Sequence, residues 1–388
     1  MSSDDSRCPL AVSYLLLFAA TGITLPFLPA YLTSLGFSSA QLGVLLAVSP
    51  ALSMVAPPLW GQLADRSGRP GAVLLALTLG GAAGFSLLLF ASSFVAALFA
   101  LAAYAVFASS YTTLLDTLTL NAVVKRGGTY AQVRLFGSLG FILSALAFGF
   151  SRTTVDRAAV TMPLLTMVAF AMWTAFTLTR RRQLLDPGHR PSARAAFEIA
   201  RRPEVLRFLI AVCLHWVACT PYHGTLSLHV NALHLPPRVV SLSAAVGVIA
   251  ELLLMASWPR WGHRVDPRAL LCVSFAASAL RWLGMSLTSD EWVLTALAVL
   301  HGLTFGAFFV SSVGFMSRQA PDALRATGQA LFVASAFGLG GLSGYLLTGL
   351  GYDALGGHRL FLVAAGVELI PAALMFPAKN AGAGSTVD

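Results

Sequence analysis

Apolar residues run through this chain in long blocks, each ended by a short cluster of charged residues, glycine or proline. A bilayer-spanning helix needs about 20 mainly apolar residues at a rise of 1.5 Å each, and such breaks mark its ends. Twelve blocks meet that requirement: 11–33, 40–60, 71–91, 94–120, 131–151, 159–179, 205–229, 239–258, 269–287, 292–316, 325–349 and 359–377. The first is too long for the core of a signal peptide and is not followed by a small-residue cleavage site, so it counts as a span. The one long polar connection, from Arg180 to about Pro203, divides the blocks six from six. The pattern therefore predicts an all-α membrane protein with an N-terminal bundle at 1–179, a cytoplasmic linker at 180–203 and a C-terminal bundle at 204–388.

Composition sharpens the class. Hydrophobic residues make up 57% of the chain and charged residues 11%, against roughly 25% charged in soluble domains, and mean hydropathy is +0.76. That balance excludes a water-soluble enzyme, a disordered chain and a nucleic-acid binder, and leaves the lipid bilayer as the expected surroundings. The net charge of +9 comes from basic clusters between the apolar blocks, not from one basic face. Nineteen Lys and Arg residues fall in one set of alternate loops and four in the other. Basic flanks are retained in the cytoplasm, so both termini are expected there, with the protein in a bacterial-type inner membrane. Cys8, Cys213, Cys219 and Cys272 show no CxxC spacing, so neither a disulfide framework nor a zinc site is expected. No Walker A loop, Rossmann fingerprint or nucleophile elbow occurs, so no ATP site, cofactor or enzymatic activity is expected.

The two halves share a motif. Pro58-Leu59-Trp60-Gly61-Gln62-Leu63-Ala64-Asp65 ends the second block and Pro259-Arg260-Trp261-Gly262-His263-Arg264-Val265-Asp266 ends the eighth, the same P-x-W-G-x-x-x-D at an offset of 201 residues. Six spans separate the copies, so both face one side, as in parallel repeats related by an axis along the membrane normal. The first copy continues as Asp65-Arg66-Ser67-Gly68-Arg69, which completes G-x-x-x-D-R-x-G-R between spans two and three. This resembles the signature loop of the major facilitator superfamily, and the resemblance implies two pseudo-symmetric six-helix bundles with a gating role for Gly61, Asp65, Arg66, Gly68, Arg69 and, in the second copy, Asp266. Physically, Gly61 and Gly68 allow close approach and turns, and Asp65 can accept from a helix N-terminus or an arginine. The second copy lacks the D-R-x-G-R continuation.

Ionisable residues deep in a span cost about 2.5–3.5 kcal/mol each on insertion scales unless paired or hydrated. Spans four and five hold Asp116 and Arg134, each nine residues from Lys125; at helical rise that is about 13 Å, so they are expected at similar depth and able to pair. Spans eight, nine and ten hold Glu251, Arg281 and His301, each about 13–15 Å from its nearer end and so close to the midplane. Unpaired, four such charges would cost on the order of 10–14 kcal/mol, comparable with a protein's net stability. They could be interhelical pins, Asp116 with Arg134 and Glu251 with Arg281. A titrating carboxylate beside an arginine and an imidazole is also what proton-coupled substrate binding requires.

The stretches Leu115-Asp116, Val133-Arg134 through Gly140-Phe141, Ala250-Glu251, Leu280-Arg281-Trp282 and Leu300-His301 through Thr304-Phe305 resemble the phenylpropionate permease branch of the superfamily, which is similar to lactose permease. The eighteen-residue spacing of Asp116 and Arg134 matches that family's acid and arginine on helices four and five. The resemblance implies substrate binding by Asp116, Arg134, Phe141 and Arg281 and proton coupling by Glu251 and His301, with no cofactor and H+ as the coupling ion. Two departures stand out. Thr304 replaces a further carboxylate, which leaves Glu251 as the expected proton carrier, and Phe141 replaces a sugar-stacking tryptophan, which suits an apolar or aromatic substrate. Phe141 lies seven residues from Arg134, so both can face one cavity, and an arginine near an aromatic ring suits an aryl carboxylate.

Other signals are weaker. His215, His223 and His229 in span seven are not spaced to share one helix face, so a bend at Pro221 is favoured over a metal site. Pro26 and Pro29 mark a bend in span one, and Gly328, Gly338, Gly340, Gly341 and Gly344 in span eleven indicate close helix contact. Glu368 in span twelve reads as a surface or packing residue. The sequence thus points to a monomeric secondary transporter of a small organic solute, expected to be a proton symporter of an aromatic acid. An exporting antiporter, a sugar or nucleoside symporter, and a non-transporting receptor or scaffold on the same fold are the alternatives.

Overall fold

The computed structural model describes residues 7–126, 129–179, 193–321 and 324–376. Within them all regular structure is helical, as the bilayer demands: a helix satisfies its own backbone N–H and C=O groups where no water can. The spans are α1 (Cys8–Ser34), α2 (Ser39–Ser67), α3 (Pro70–Phe90), α4 (Phe94–Val123), α5 (Tyr130–Ser151), α6 (Ala158–Thr177), α7 (Pro203–Ala232), α8 (Arg238–Arg264), α9 (Pro267–Leu287) and α10 (Glu291–Gln319). A final stretch, Arg325–Met375, is 51 residues long, about 76 Å if straight and more than twice the thickness of a hydrocarbon core. It breaks at Gly356, whose φ of 70° and ψ of 171° lie outside helical space and suit glycine. Counting 325–355 as α11 and 357–375 as α12 gives the twelve expected spans. Of the expected linker, 180–192 lies outside the described residues, and the rest holds a short helix, Ala193–Ala200.

The breaks seen in sequence are the caps. Ser38 and Gln41 form a reciprocal capping box ahead of α2, Asp266 caps α9 through the Ala269 amide, and Asp290 caps α10 through the Trp292 and Val293 amides. Pro70, Pro203 and Pro267 occupy first helical turns, where the missing N–H is not needed. Between the caps, large apolar side chains face outward, among them Phe90, Phe176 and Leu287. Such a surface suits hydrocarbon.

The halves meet along a seam whose pairs obey the repeat. Helix α2 packs on α11 and α8 on α5, contacts that exchange when the halves are swapped, while α1 lies against α7. The closest backbone approaches lie at the ends away from the termini. A Cβ on Gly349 would sit 2.5 Å from the Ser39 carbonyl, and one on Gly43 would sit 2.6 Å from that of Tyr345. Across the pseudo-axis, Gly149 faces Ser241, whose hydroxyl donates to the Ala145 carbonyl at 2.7 Å. On the terminus-bearing side the same helix α2 instead leaves Val55, Leu59 and Leu63 exposed. The tightest contacts between the halves thus lie at one end of the seam.

The glycines of α11 do bring helices together: Gly338 faces Met54, Gly341 faces Pro50, and Gly340 and Gly344 face Cys213 and Thr220 of α7. Helices α10 and α11 also carry wide-turn π segments, at Gly302–Ala307 and Ala334–Gly340. Such segments concentrate at functional sites.

Replacing Gly349 with leucine is expected to force α2 and α11 apart at a cost of about 1–3 kcal/mol. The thermal unfolding midpoint of the detergent-solubilised protein would fall; an unchanged midpoint would show that the backbones are not packed this closely.

Candidate functional site

Below the closed end of the seam lies a cavity of about 410 Å³ walled by both halves. Helices α1 and α5 contribute Phe18, Thr21, Arg134, Ser138 and Phe141; α7, α8 and α10 contribute Trp216, Tyr222, His223, Glu251, His301 and Phe305. Arg134 is in the first turns of α5, so the cavity reaches toward the terminus-bearing side. A second chamber of about 360 Å³ adjoins it, sharing Thr21, Trp216, His223, Phe337 and Tyr345. The lining is mainly apolar and rich in aromatic rings, with a few polar groups, as befits a site for a small organic molecule.

The expected pairing of Asp116 with Arg134 does not occur. Helix α1 places Tyr14 and Phe18, one turn apart, between the two charges. The Tyr14 hydroxyl donates to the Asp116 carboxylate in a short hydrogen bond, while the Arg134 guanidinium lies over the Phe18 ring at 4.1 Å and the Tyr14 ring at 5.4 Å. The acid is thereby held behind the wall, outside the cavity lining, and the arginine faces the cavity with no carboxylate in ion-pair contact among the described residues. Both charges lie beside Tyr14, so the similar depth expected of them is compatible with the structure; what fails is their direct pairing, because aromatic side chains of α1 stand between them.

The second pin, Glu251 with Arg281, is replaced by a relay through His301. Glu251 Oε2 is 3.9 Å from His301 Nε2. Arg281 Nη1 donates to His301 Nδ1 at 3.2 Å and to the Thr304 hydroxyl at 3.1 Å. An arginine can only donate, so Nδ1 accepts and the ring hydrogen resides on Nε2, the nitrogen nearer Glu251. Arg281 is buried a layer behind the cavity, at 1% exposure, with its guanidinium over Tyr222 at 4.1 Å and Trp282 at 4.8 Å. It reaches the cavity only through the lining residues His301 and Tyr222, so direct substrate contact, expected from the family pattern, is not what this conformation provides. His301 also stacks on Phe305 at 5.4 Å, one turn on in the same helix.

Of the two readings offered for Glu368, surface and packing, burial excludes the first. It is fully buried, and its carboxylate contacts His215 Nδ1 at 2.9 and 3.0 Å and accepts from the Trp282 indole at 3.3 Å. The three histidines of α7 separate as their spacing implied: His215 joins Glu368, His223 lines the cavity, and His229 packs against His358 and Phe361 of α12.

At the signature loop, Gly68 takes a left-handed conformation, φ 59°, and ends the long helix α2. Gly61, by contrast, has open space where a Cβ would sit, so close approach is not its role here. Asp65, Arg66 and Arg69 are exposed, and none forms an ion pair among the described residues. The contacts anticipated for Asp65 are made in the second copy instead, where Asp266 caps α9 and accepts from Arg318 of α10 at 3.0 Å.

Residues 8–363 match the model of the MFS_1-like family. The chain belongs to this family of major facilitator transporters. The family fold accounts for the repeat, the seam and the central cavity together, and the protein is a secondary transporter, not an enzyme. Among its relatives, the maltose permease of Geobacillus stearothermophilus is 29% identical over 86% of both chains. The probable 3-phenylpropionic acid transporter of Escherichia coli strain K12 is 26% identical over 95% of this chain and 96% of its own. In fold, the crystal structure of the nucleoside transporter NupG superposes with a TM-score of 0.84 at 17% identity, covering 98% of this chain and all of the other.

Changing Tyr14 to phenylalanine would strip Asp116 of its donor in an apolar setting. A loss of about 1–3 kcal/mol is expected, read as a lower unfolding midpoint; no change would mean that the carboxylate is satisfied without Tyr14.

Proposed function

We propose that the protein imports a small aromatic carboxylic acid together with protons, by alternating access of its two bundles around the central cavity. Arg134 carries this reading. Its guanidinium, in ion-pair contact with no carboxylate among the described residues, faces a cavity whose lining includes the rings of Phe18, Phe141, Trp216, Tyr222, Phe305 and Phe337. A guanidinium binds a carboxylate in fork-like fashion, and the aromatic walls accept an aryl ring. The E. coli relative named for 3-phenylpropionic acid spans nearly the whole chain and supports the same class.

Charge balance explains the coupling. Without substrate, the Glu251 carboxylate is the cavity's counter-charge to Arg134. A substrate anion on Arg134 takes over that role, and a second negative charge in a low-dielectric site is costly, so Glu251 takes up a proton as substrate binds. His301, with its hydrogen on Nε2 facing Glu251, holds the carboxylate when ionised. Arg281 keeps the His301 ring in that tautomer. Binding and protonation then favour each other, as symport needs. No cofactor enters this scheme, the coupling ion is H+, and a monomer suffices because one chain supplies the whole cavity. The basic bias of the terminus-bearing loops puts that side in the cytoplasm of an inner membrane. The pictured conformation is then inward-facing.

Proton-coupled sugar uptake is the second reading. The maltose permease relative favours it, as do the hydroxyls of Thr21 and Ser138 beside Arg134.

In proteoliposomes with an imposed inward proton gradient, 3-phenylpropionate is expected to accumulate and to leak away when the gradient collapses. Accumulation of maltose alone would move the assignment to sugars, and accumulation of neither by folded, inserted protein would refute the substrate class. In the same vesicles, Glu251→Gln is expected to abolish gradient-driven accumulation while leaving exchange intact; persistent accumulation would place the proton elsewhere. Arg134→Gln is expected to weaken substrate affinity about tenfold or more, the equivalent of a lost charged hydrogen bond; unchanged affinity would exclude it as the carboxylate ligand.

A further inference from the structure

Behind the cavity, four helices converge on a second polar cluster that the transport scheme above does not use. Glu368 of α12 meets His215 of α7; His215 Nε2 meets the Thr304 carbonyl of α10 at 3.1 Å, and the Thr304 hydroxyl meets Arg281 of α9 at 3.1 Å. From Arg281 the chain of contacts runs on through His301 to Glu251 at the cavity wall. We propose that the Glu368–His215 pair is a second, buried proton-binding site, linked to the cavity carboxylate through Thr304, Arg281 and His301.

Hydrogen-bond direction supports it. A carbonyl can only accept, so His215 donates to Thr304 from Nε2. The contacts from Nδ1 to the two Glu368 oxygens then need one further hydrogen, supplied either by an imidazolium or by a carboxylic acid. The pair therefore holds one dissociable proton and is neutral overall while it does so. When that proton leaves, a bare carboxylate faces a ring lone pair, and its negative charge stands one residue along α9 from Arg281, beside Trp282. The other groups facing the pair are Cys219, whose sulfur is 3.6 Å from His215 Nε2, and the rings of Phe275 and Phe308. Among the described residues no carboxylate pairs with Arg281, whose Nε and Nη2 meet no acceptor. An ionised Glu368 adds a second counter-charge to this network, at the end opposite Glu251. Proton loss at the pair thus strengthens the hold on Arg281, and through it sets how firmly Arg281 engages His301.

A metal ion is a poorer occupant. His215, Cys219 and Glu368 lie close enough to suggest one, but the carboxylate addresses Nδ1 and the thiol Nε2, on different sides of the ring. One ion cannot share both with the same imidazole nitrogen.

The inference extends the proton-coupling scheme, but its test needs neither substrate nor gradient, so the two can fail separately. Purified protein in lipid nanodiscs is titrated with pH while infrared spectra follow both the carbonyl stretch of protonated carboxyl groups and the ring modes of imidazolium, so that the proton is seen on either partner. A titrating band is expected that survives in Glu251→Gln and vanishes in Glu368→Gln. Its midpoint is expected to move by about one pH unit, a tenfold change in proton affinity, when Thr304→Val or His301→Gln cuts the chain of contacts. If no band is lost in folded Glu368→Gln, the pair is a fixed structural pin and the proposal fails. If the midpoint ignores both cuts, the link to the cavity fails. Should Glu368→Gln not fold, His215→Gln decides instead: removing the imidazole must shift or abolish the same band, and an unmoved midpoint overturns the pair.

Discussion

Every charge inside this protein must find a partner in a medium that offers no water, and the interior is organised around that requirement. Transferring an ionised side chain into hydrocarbon costs several kcal/mol, and its partner must come from the protein or from an aqueous cavity. Five ionisable groups near the midplane were visible as an imbalance to be resolved. Their resolution uses residues that carry no charge at all. Tyr14 and Phe18 satisfy an acid and a base separately, one by a hydrogen bond and one by an aromatic face. Thr304 joins two charged clusters through its carbonyl and its hydroxyl.

The consequence is an asymmetry between the halves. In the N-terminal half the acid is tied back and the base is left facing the cavity. In the C-terminal half the base is tied back and the acid faces the cavity. Arg134 and Glu251 therefore line the cavity as an opposed base and acid, one from each bundle. The small residues at the seam make the contact between the bundles tight at one end. Gly43 and Gly349 bring α2 and α11 to backbone contact, and Gly149 makes room for the Ser241 side chain between α5 and α8. The signature loop at the other end holds Asp65, Arg66 and Arg69, all exposed.

Much of this was legible from residue order alone. Period and length of the apolar blocks yielded twelve spans, because a bilayer imposes one element type of nearly fixed length. The offset of the two P-x-W-G-x-x-x-D copies yielded parallel halves, and the caps Ser38, Asp266 and Asp290 stand where the blocks end. The residues facing the cavity were also partly visible: Arg134, Phe141, Glu251 and His301 all line it.

What chain order could not supply was pairing. An acid and a base eighteen residues apart on neighbouring helices look like partners, but whether they touch depends on what a third helix inserts between them. Here α1 inserts two aromatic rings. Glu368 looked like a packing residue because its neighbour His215 lies 153 positions away, and no periodicity within either helix refers to the other. Helix identity follows from local composition and from the solvent, which act residue by residue. Partner choice follows from the packing of several helices at once, and only the tertiary structure decides it.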